Sequence, residues 1–410
     1  MRNYLAILTA CAAGALLYAA PVQTHWVATW AAPASPQMAT QTERAAAHLE
    51  LENQTVREIV HTSLAGNTIR LRLSNQFGEE SVEIGAVHVA NCGAGSELVA
   101  GSDHTVTFGG RAAFSIPPNA PFLSDPVELS VPAAGNLCIS LFVPKKTSAA
   151  GIHYDARQKT YLVSGDATGA PNLPDATTIN SWLFLAGVDV AASEPSATVV
   201  AFGDSITDGA ASTVDANRRW PNVLADRLLA SRRDLAVVNA GIGGNRILHD
   251  AVGRVAFGVN ALARFQRDAL AEPGVKYIIV LEGINDLGHA GSSAPLSETV
   301  TADDLIAGLK QMIERAHERQ IKIFGGTLTP FEVAKAKGYY TPEKEKERER
   351  LNDWIRSSGA FDGVVDFEKA IRDPANPTRM LPEYDSGDHL HPNDAGYKAM
   401  GEAIDLALFK

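Results

Sequence analysis

The sequence predicts an α/β fold built on a parallel sheet, preceded by a separate all-β domain. Up to about residue 187, short apolar runs of period two are separated by turn residues. From residue 197 onward, short apolar runs alternate instead with stretches of helical period, the pattern of parallel strands with helices on both faces. Residues 191–196, Ala-Ala-Ser-Glu-Pro-Ser, separate the two patterns as a short linker, and 410 residues are enough for two cores.

The chain opens on a targeting segment. Met1-Arg2-Asn3 is a short basic start, and residues 4–20 are almost entirely apolar, short for a spanning helix and followed by polar sequence. A cleaved signal peptide over residues 1–20 is expected, with periplasmic or secreted localisation and no stable membrane insertion after cleavage. Ending it at Ala20 puts the large Tyr18 where a small residue is preferred, and Leu8-Thr9-Ala10-Cys11 resembles a lipoprotein box; plain export ranks above lipidation because the apolar run continues past Cys11. The remainder divides into a β-domain, residues 21–190, and a second domain, residues 197–410. The composition is that of a globular protein, 45% hydrophobic and 20% charged, and the net charge of −11 argues for solubility and against nucleic acid or a polybasic membrane patch. Of three cysteines, Cys11 leaves with the signal; Cys92 and Cys138 are then a disulfide, which export permits, or two buried thiols, and spacing does not decide.

In the first domain, residues 68–73 alternate charged and apolar, and residues 82–89 and 137–143 are further strands. Residues 104–108 and 159–163 fit the same pattern, while residues 41–51 read as one short helix. Such spacing predicts a β-sandwich or jelly-roll-like module. Trp26 and Trp30, four apart, are expected on one face of an extended strand, packed in the core. In the second domain the strands are 198–202, 235–239, 277–281, 321–327 and 363–367, and the helices 220–231, 302–319, 342–357 and 394–408. The charged run at 343–350, with opposite charges at i,i+3, reads as a solvated helix face.

Candidate chemistry lies at the carboxyl ends of these strands, where open α/β sheets place their ligands. Gly203-Asp204-Ser205 follows the first strand; Asn239-Ala240-Gly241-Ile242-Gly243-Gly244-Asn245 closes the second; Gly283-Ile284-Asn285-Asp286 follows the third; Asp388-His389-Leu390-His391 precedes the last helix. These supply a nucleophile, amide donors, a side-chain amide and an Asp-x-x-His pair, the parts needed for Ser-His-Asp acyl transfer. A serine oxygen needs a neighbouring base, and His391 is that base, with Asp388 fixing its tautomer. The backbone N–H groups of Ser205 and Gly244 and the amide of Asn285 are the candidate oxyanion donors. His389 is the alternative base, expected to point away from His391's side of the chain. Asp204 and Asp208 are expected to be turn and cap residues and Asp286 a brace for the loop holding Asn285; His61, His88, His104 and His153 are expected to be structural. The sequence has no Gly-x-Ser-x-Gly elbow, Walker loop or His-Glu-x-x-His helix.

Over residues 197–410 the four stretches resemble the SGNH (GDSL-type) hydrolase family. Gly203-Asp204-Ser205-Ile206 matches the first block with Ile for Leu, Gly244 and Asn285 stand at the oxyanion positions, and Asp388 with His391 match the Asp-x-x-His block. The resemblance implies a three-layer flavodoxin-like sheet of order 2-1-3-4-5 and carboxylic ester hydrolysis with no cofactor and no metal. The expected partner is a small-molecule or glycan ester, with short-chain acyl or acetyl esters, including O-acetylated carbohydrates, favoured by the absence of a long apolar lid. The alternatives are O-acylation of a glycan by the same triad, and a glycan-binding protein with idle catalytic parts. Oligomeric state is not legible.

Overall fold

The computed structural model describes residues 24–38, 40–251 and 253–410. The expected signal peptide, residues 1–20, and Cys11 lie outside them.

The second half is built on a five-stranded parallel sheet ordered Leu235–Gly241, Ala197–Gly203, Val275–Leu281, Lys322–Gly326, Gly363–Val365, which is 2-1-3-4-5 in chain order. Ala197–Gly203 is buried along its whole length, which is why it reads as a continuous apolar run. Helices Trp220–Ala230, Ala302–His317, Pro342–Ser357 and Asp394–Ala403 accompany the sheet, and one core includes Val200, Phe202, Leu224, Ile279, Leu309, Phe324 and Tyr397. Thr301 and Thr341 cap two of the helices, accepting from Asp304 N and Lys344 N. The last strand stops at Val365 because Asp366 turns the chain into the helix Phe367–Ile371. Within the charged run, Glu345 and Arg348 are buried and paired at 2.5 Å, with Arg348 also reaching Glu368 at 2.7 Å. That stretch of the helix is internal where a solvated face was expected.

The first half is strand-rich, as expected, and its pairings are antiparallel. One sheet runs Trp26–Ala31, Leu185–Ala191, Gly66–Ser74, Val127–Val131, with Pro121–Leu123 also on Gly66–Ser74. The other runs Thr177–Ile179, Thr160–Ser164, Gln54–His61, Asn136–Val143, Ala86–Asn91, His104–Thr105. Ile69, Leu71 and Val188 of the first share a core with Val56, Val60, Leu137 and Ile139 of the second. The strand expected over 82–89 is broken at Gly85 into Val82–Ile84 and Ala86–Asn91, and the helix expected over 41–51 is only Gln41–Ala46. Cys92 and Cys138 form a disulfide, Cα atoms 5.2 Å apart.

The strand Trp26–Ala31 lies between the two halves. A bulge between Ala28 and Trp30 shifts its register, so Trp26 lies on the face of Ala28 and Asp189, under Arg70, while Trp30 joins the strand-rich core against Trp182. The two tryptophans therefore do not share a face, contrary to a regular strand. Ala28 donates to Pro273 O at 3.0 Å, Ser63 Oγ accepts from Val237 N at 2.9 Å, and Arg72 grips Glu272 through both guanidinium nitrogens at 3.1 and 2.5 Å. The exposed edge of the parallel sheet is thus covered by the other half.

Candidate active site

The strand Ala197–Gly203 delivers its last residues to the top of the sheet, where Asp204 starts the four-residue helix Ser205–Asp208. Asp204 Oδ1 accepts from Ile206 N at 2.9 Å, the cap expected of it. Complete burial raises this carboxyl to about 7, opposed by the Ile206 N–H and by His391. Gly209, at φ 100°, ends the helix. A Cβ on Gly241 would lie 2.3 Å from Asp208 N, so the second strand approaches this helix only because it ends in glycine.

The structure brings Ser205, His391 and Asp388 together. Ser205 Oγ is 2.8 Å from His391 Nε2, and His391 Nδ1 is 2.6 Å from Asp388 Oδ2. Asp388 Oδ1 accepts from Leu390 N at 2.9 Å and His391 N at 2.8 Å. Partial burial works against the Asp388 charge, but the bond to His391, its charge and these two amides outweigh it and hold the carboxyl well below the usual range. A carboxylate accepts, so Nδ1 carries the proton and Nε2 is left with its lone pair facing the serine. Asn393 caps the following helix Asp394–Ala403 and donates to Glu383 O at 2.9 Å and Asp385 O at 3.1 Å, fixing the segment from behind.

The loop after the second strand lies over the serine: a Cβ on Gly243 would be 4.0 Å from Ser205 Cβ. Gly244 adopts φ +75°, and a Cβ there would strike the Phe257 ring at 2.3 Å. Among the described residues, neither Ser205 N nor Gly244 N has a protein acceptor, so both amides are available. Asn285 Nδ2 donates to Asn245 O at 3.0 Å, and Asn285 Oδ1 accepts from the Tyr339 hydroxyl at 2.7 Å. These two partners fix which end of the amide carries the NH₂ and leave its second hydrogen unassigned. Asp286 holds the same loop rather than its own, accepting from Ile247 N at 2.7 Å and Leu248 N at 3.0 Å; burial raises it to about 6 against those two bonds.

Three residues of the site carry no sequence signal. Buried Arg264 donates to Gly203 O and Ala240 O, both at 2.8 Å, and to Asn245 Oδ1 at 2.7 Å, tying two strand ends to the loop. Tyr339 lies in the loop 331–340, with no motif around it. His153, from the strand-rich half, reaches Asp208, where a cap or turn role was expected of the aspartate and a remote structural one of the histidine. His389 pairs with Asp385 at 2.6 Å and not with Ser205. Phe257, His289, Arg246 and Glu298 line a small cavity beside Gly244, with the His289 ring 5.4 Å from that of Phe257. Burial and the nearby Arg246 and Arg254 lower His289 to about 4. Among the described residues no group of three or more His, Cys, Asp or Glu is placed to hold a metal ion, and no helix is long and apolar enough to cross a membrane.

Residues 201–399 match the GDSL-like lipase/acylhydrolase family. No curated protein sequence matches the chain. Similar solved structures include a G-D-S-L family protein from Desulfitobacterium hafniense DCB-2 (25% identity, covering 50% of this chain and 96% of that one, TM-score 0.37). Others are a lipase/acylhydrolase from Enterococcus faecalis (20%, 51% and 93%, 0.39) and an aryl esterase of M. smegmatis (16%, 51% and 96%, 0.40).

Proposed function

We propose, from the match of residues 201–399 to the GDSL-like lipase/acylhydrolase family, that the chain is an exported serine ester hydrolase that forms an acyl-enzyme on Ser205. The observation that carries this reading is the chain of contacts Ser205 Oγ, His391 Nε2, His391 Nδ1, Asp388 Oδ2, with its proton inventory already set for attack. His391 takes the hydroxyl proton as Ser205 adds to the ester carbonyl, and returns it to the departing alcohol. The oxyanion is received by the amides of Ser205 and Gly244 and the free hydrogen of Asn285 Nδ2. Water then repeats the sequence on the acyl-enzyme.

The acyl group is short, acetyl above all, and the alcohol a small molecule or a carbohydrate; the narrow cavity behind Phe257 supports a small group there. Export by residues 1–20 fits the Cys92–Cys138 disulfide, which persists in an oxidising compartment. Residues 21–190 are read as a β-sandwich, jelly-roll-like module and 197–410 as the catalytic domain. The test is hydrolysis of p-nitrophenyl esters from acetate to long acyl chains by the mature protein and by Ser205→Ala. Acetate should be cleaved fastest, with rate falling along the series and lost in the variant. Equal rates for long chains would overturn the acyl preference, and turnover surviving in Ser205→Ala would overturn the mechanism.

A further inference from the structure

Asp208 is the last residue of the helix that Ser205 begins, and both of its carboxylate oxygens are engaged. Oδ1 lies 3.0 Å from His153 Nε2, and Oδ2 accepts from Gly243 N at 3.2 Å. Gly243 immediately precedes Gly244. One buried carboxylate therefore joins the nucleophile's helix, the oxyanion loop and a side chain from the other half. Both His153 and Asp208 are buried, at 4% and 3% exposure. His153 Nδ1 lies 3.1 Å from Pro33 O, and a carbonyl can only accept, so Nδ1 carries a proton. Nε2 faces the Asp208 carboxyl, and one further proton lies between the two groups. The ring is held between strand-rich backbone and Asp208, 5.4 Å from the Trp182 ring.

The charged groups around the pair are accounted for. Arg219 donates to Ala156 O at 2.8 Å, and Asp155 lies in the same segment and faces Arg157 at 3.7 Å. Burial disfavours the charge on His153, but the charge and hydrogen bond of Asp208 outweigh it and raise its pKa. The segment continues along the loop after the Ser205 helix: Arg157 donates to Ser212 O, and Lys159 N donates to Asp215 Oδ1 at 2.8 Å. The Arg72–Glu272 bridge and the Ser63–Val237 bond hold the halves together away from the serine.

We propose that His153 is a positioning residue for the reaction: through Asp208 it fixes the Ser205 helix relative to the Gly243–Gly244 loop, so that the strand-rich half completes the oxyanion site. The proposal rests on the serine-esterase reading above. It commits the first half to a role in turnover beyond docking or carbohydrate binding.

The test compares full-length wild type, His153→Ala and Arg72→Ala on p-nitrophenyl acetate, with thermal unfolding of each. Phenylboronic acid serves as a probe, because the tetrahedral boronate on Ser205 presents an oxygen to the oxyanion donors. His153→Ala should lower kcat by about 10- to 100-fold with KM within about twofold, as expected for a small misplacement of reacting groups. Boronate affinity should fall by the same factor as kcat. Arg72→Ala should lower the unfolding temperature with kcat and boronate affinity unchanged. If His153→Ala does not fold, Asp208→Ala replaces it: both acceptors are removed, so Gly243 N and His153 Nε2 lose their shared partner and the same fall in kcat is expected. Wild-type kcat in the folded variant overturns the proposal, as does a kcat loss that merely follows unfolding temperature in both variants. A wild type that cleaves no ester refutes the esterase reading and takes this proposal with it; an active wild type with an unaffected His153→Ala refutes this proposal alone.

Discussion

The segment before the last helix contains two Asp–His pairs built almost alike. Asp388 Oδ2 lies 2.6 Å from His391 Nδ1, and Asp385 Oδ2 lies 2.6 Å from His389 Nδ1. In each, the second carboxylate oxygen accepts backbone amides: Leu390 N and His391 N on Asp388, Gly387 N and His389 N on Asp385. They differ at the far end of the ring. His391 Nε2 meets Ser205 Oγ at 2.8 Å, whereas His389 sits at φ +64° with its side chain 40% exposed. A carboxylate that orients an imidazole is thus a local product of Asp-x-x-His or Asp-x-x-x-His chain geometry. What sets the His391 pair apart, and makes His391 the proposed base, is the strand that brings a serine to it from 186 positions away.

The largest expected effect tests that difference directly. His391→Ala should lower kcat on p-nitrophenyl acetate by about 10⁴- to 10⁶-fold, the scale seen when one member of a Ser-His-Asp unit is removed. Steady-state kinetics at neutral pH decides it, and a loss of less than about tenfold would mean that another base serves Ser205.

Next in size is the oxyanion side. Asn285→Ala should cost about 10²–10³ in kcat, the usual loss for one such donor, with little change in KM. Tyr339→Phe keeps the ring in its stack with His289 and removes only the hydroxyl that orients the amide. One hydrogen bond of about 0.5–1.5 kcal/mol predicts a roughly 2- to 12-fold fall. A Tyr339→Phe loss as large as that of Asn285→Ala would place the hydroxyl itself among the oxyanion donors.

The pair Asp388–His391 also predicts a pH profile. The Asp388 carboxyl is held below its ordinary range, against partial burial, by His391 and two amides. Its stabilising contribution is therefore complete above the unfolded carboxylate value of about 3.9 and is lost only as pH falls through the lower folded value. Asp388 should therefore stay ionised down to about pH 4, whereas Asp204 and Asp286, raised by burial to about 7 and about 6, take up protons between pH 8 and pH 4. Carbon-13 NMR of the carboxyl groups checks it: a titration of the Asp388 signal above pH 4 would show that its bonds to His391 and the two amides do not hold.

The same contrast explains what the sequence made legible. The parallel sheet follows from buried strands that read as unbroken apolar runs and its order from the family resemblance, and Ser205, Gly244, Asn285, Asp388 and His391 sit at strand ends and a helix entry that local pattern can locate. Arg264 and Tyr339 act through backbone carbonyls and an amide brought near only by folding, so nothing in their neighbours' identities announces them. His153 differs in that its partner, 55 positions on, lies in the other half. The bulge in Trp26–Ala31 and the break at Gly85 are missed for a different reason, since a period-two reading assumes an uninterrupted pleat. Short-range chemistry is written in short-range sequence; positioning is not.

The smallest effect closes the comparison from the other side. His389→Ala removes an imidazole with the same carboxylate contact as the base but no serine at its far nitrogen. Its partner Asp385 keeps the Gly387 amide at 2.7 Å, and Ser386 N still donates to His391 O at 3.0 Å, so the turn that presents His391 retains its own bonds. A half-exposed pair of this kind is worth about 0.2–1 kcal/mol to the fold. We therefore expect kcat to change by less than about threefold, under about 0.7 kcal/mol of barrier, and the unfolding temperature to fall only slightly. A loss of tenfold or more with unchanged stability would assign His389 a contact with the bound ester, and the two pairs would then differ in task while both served the reaction.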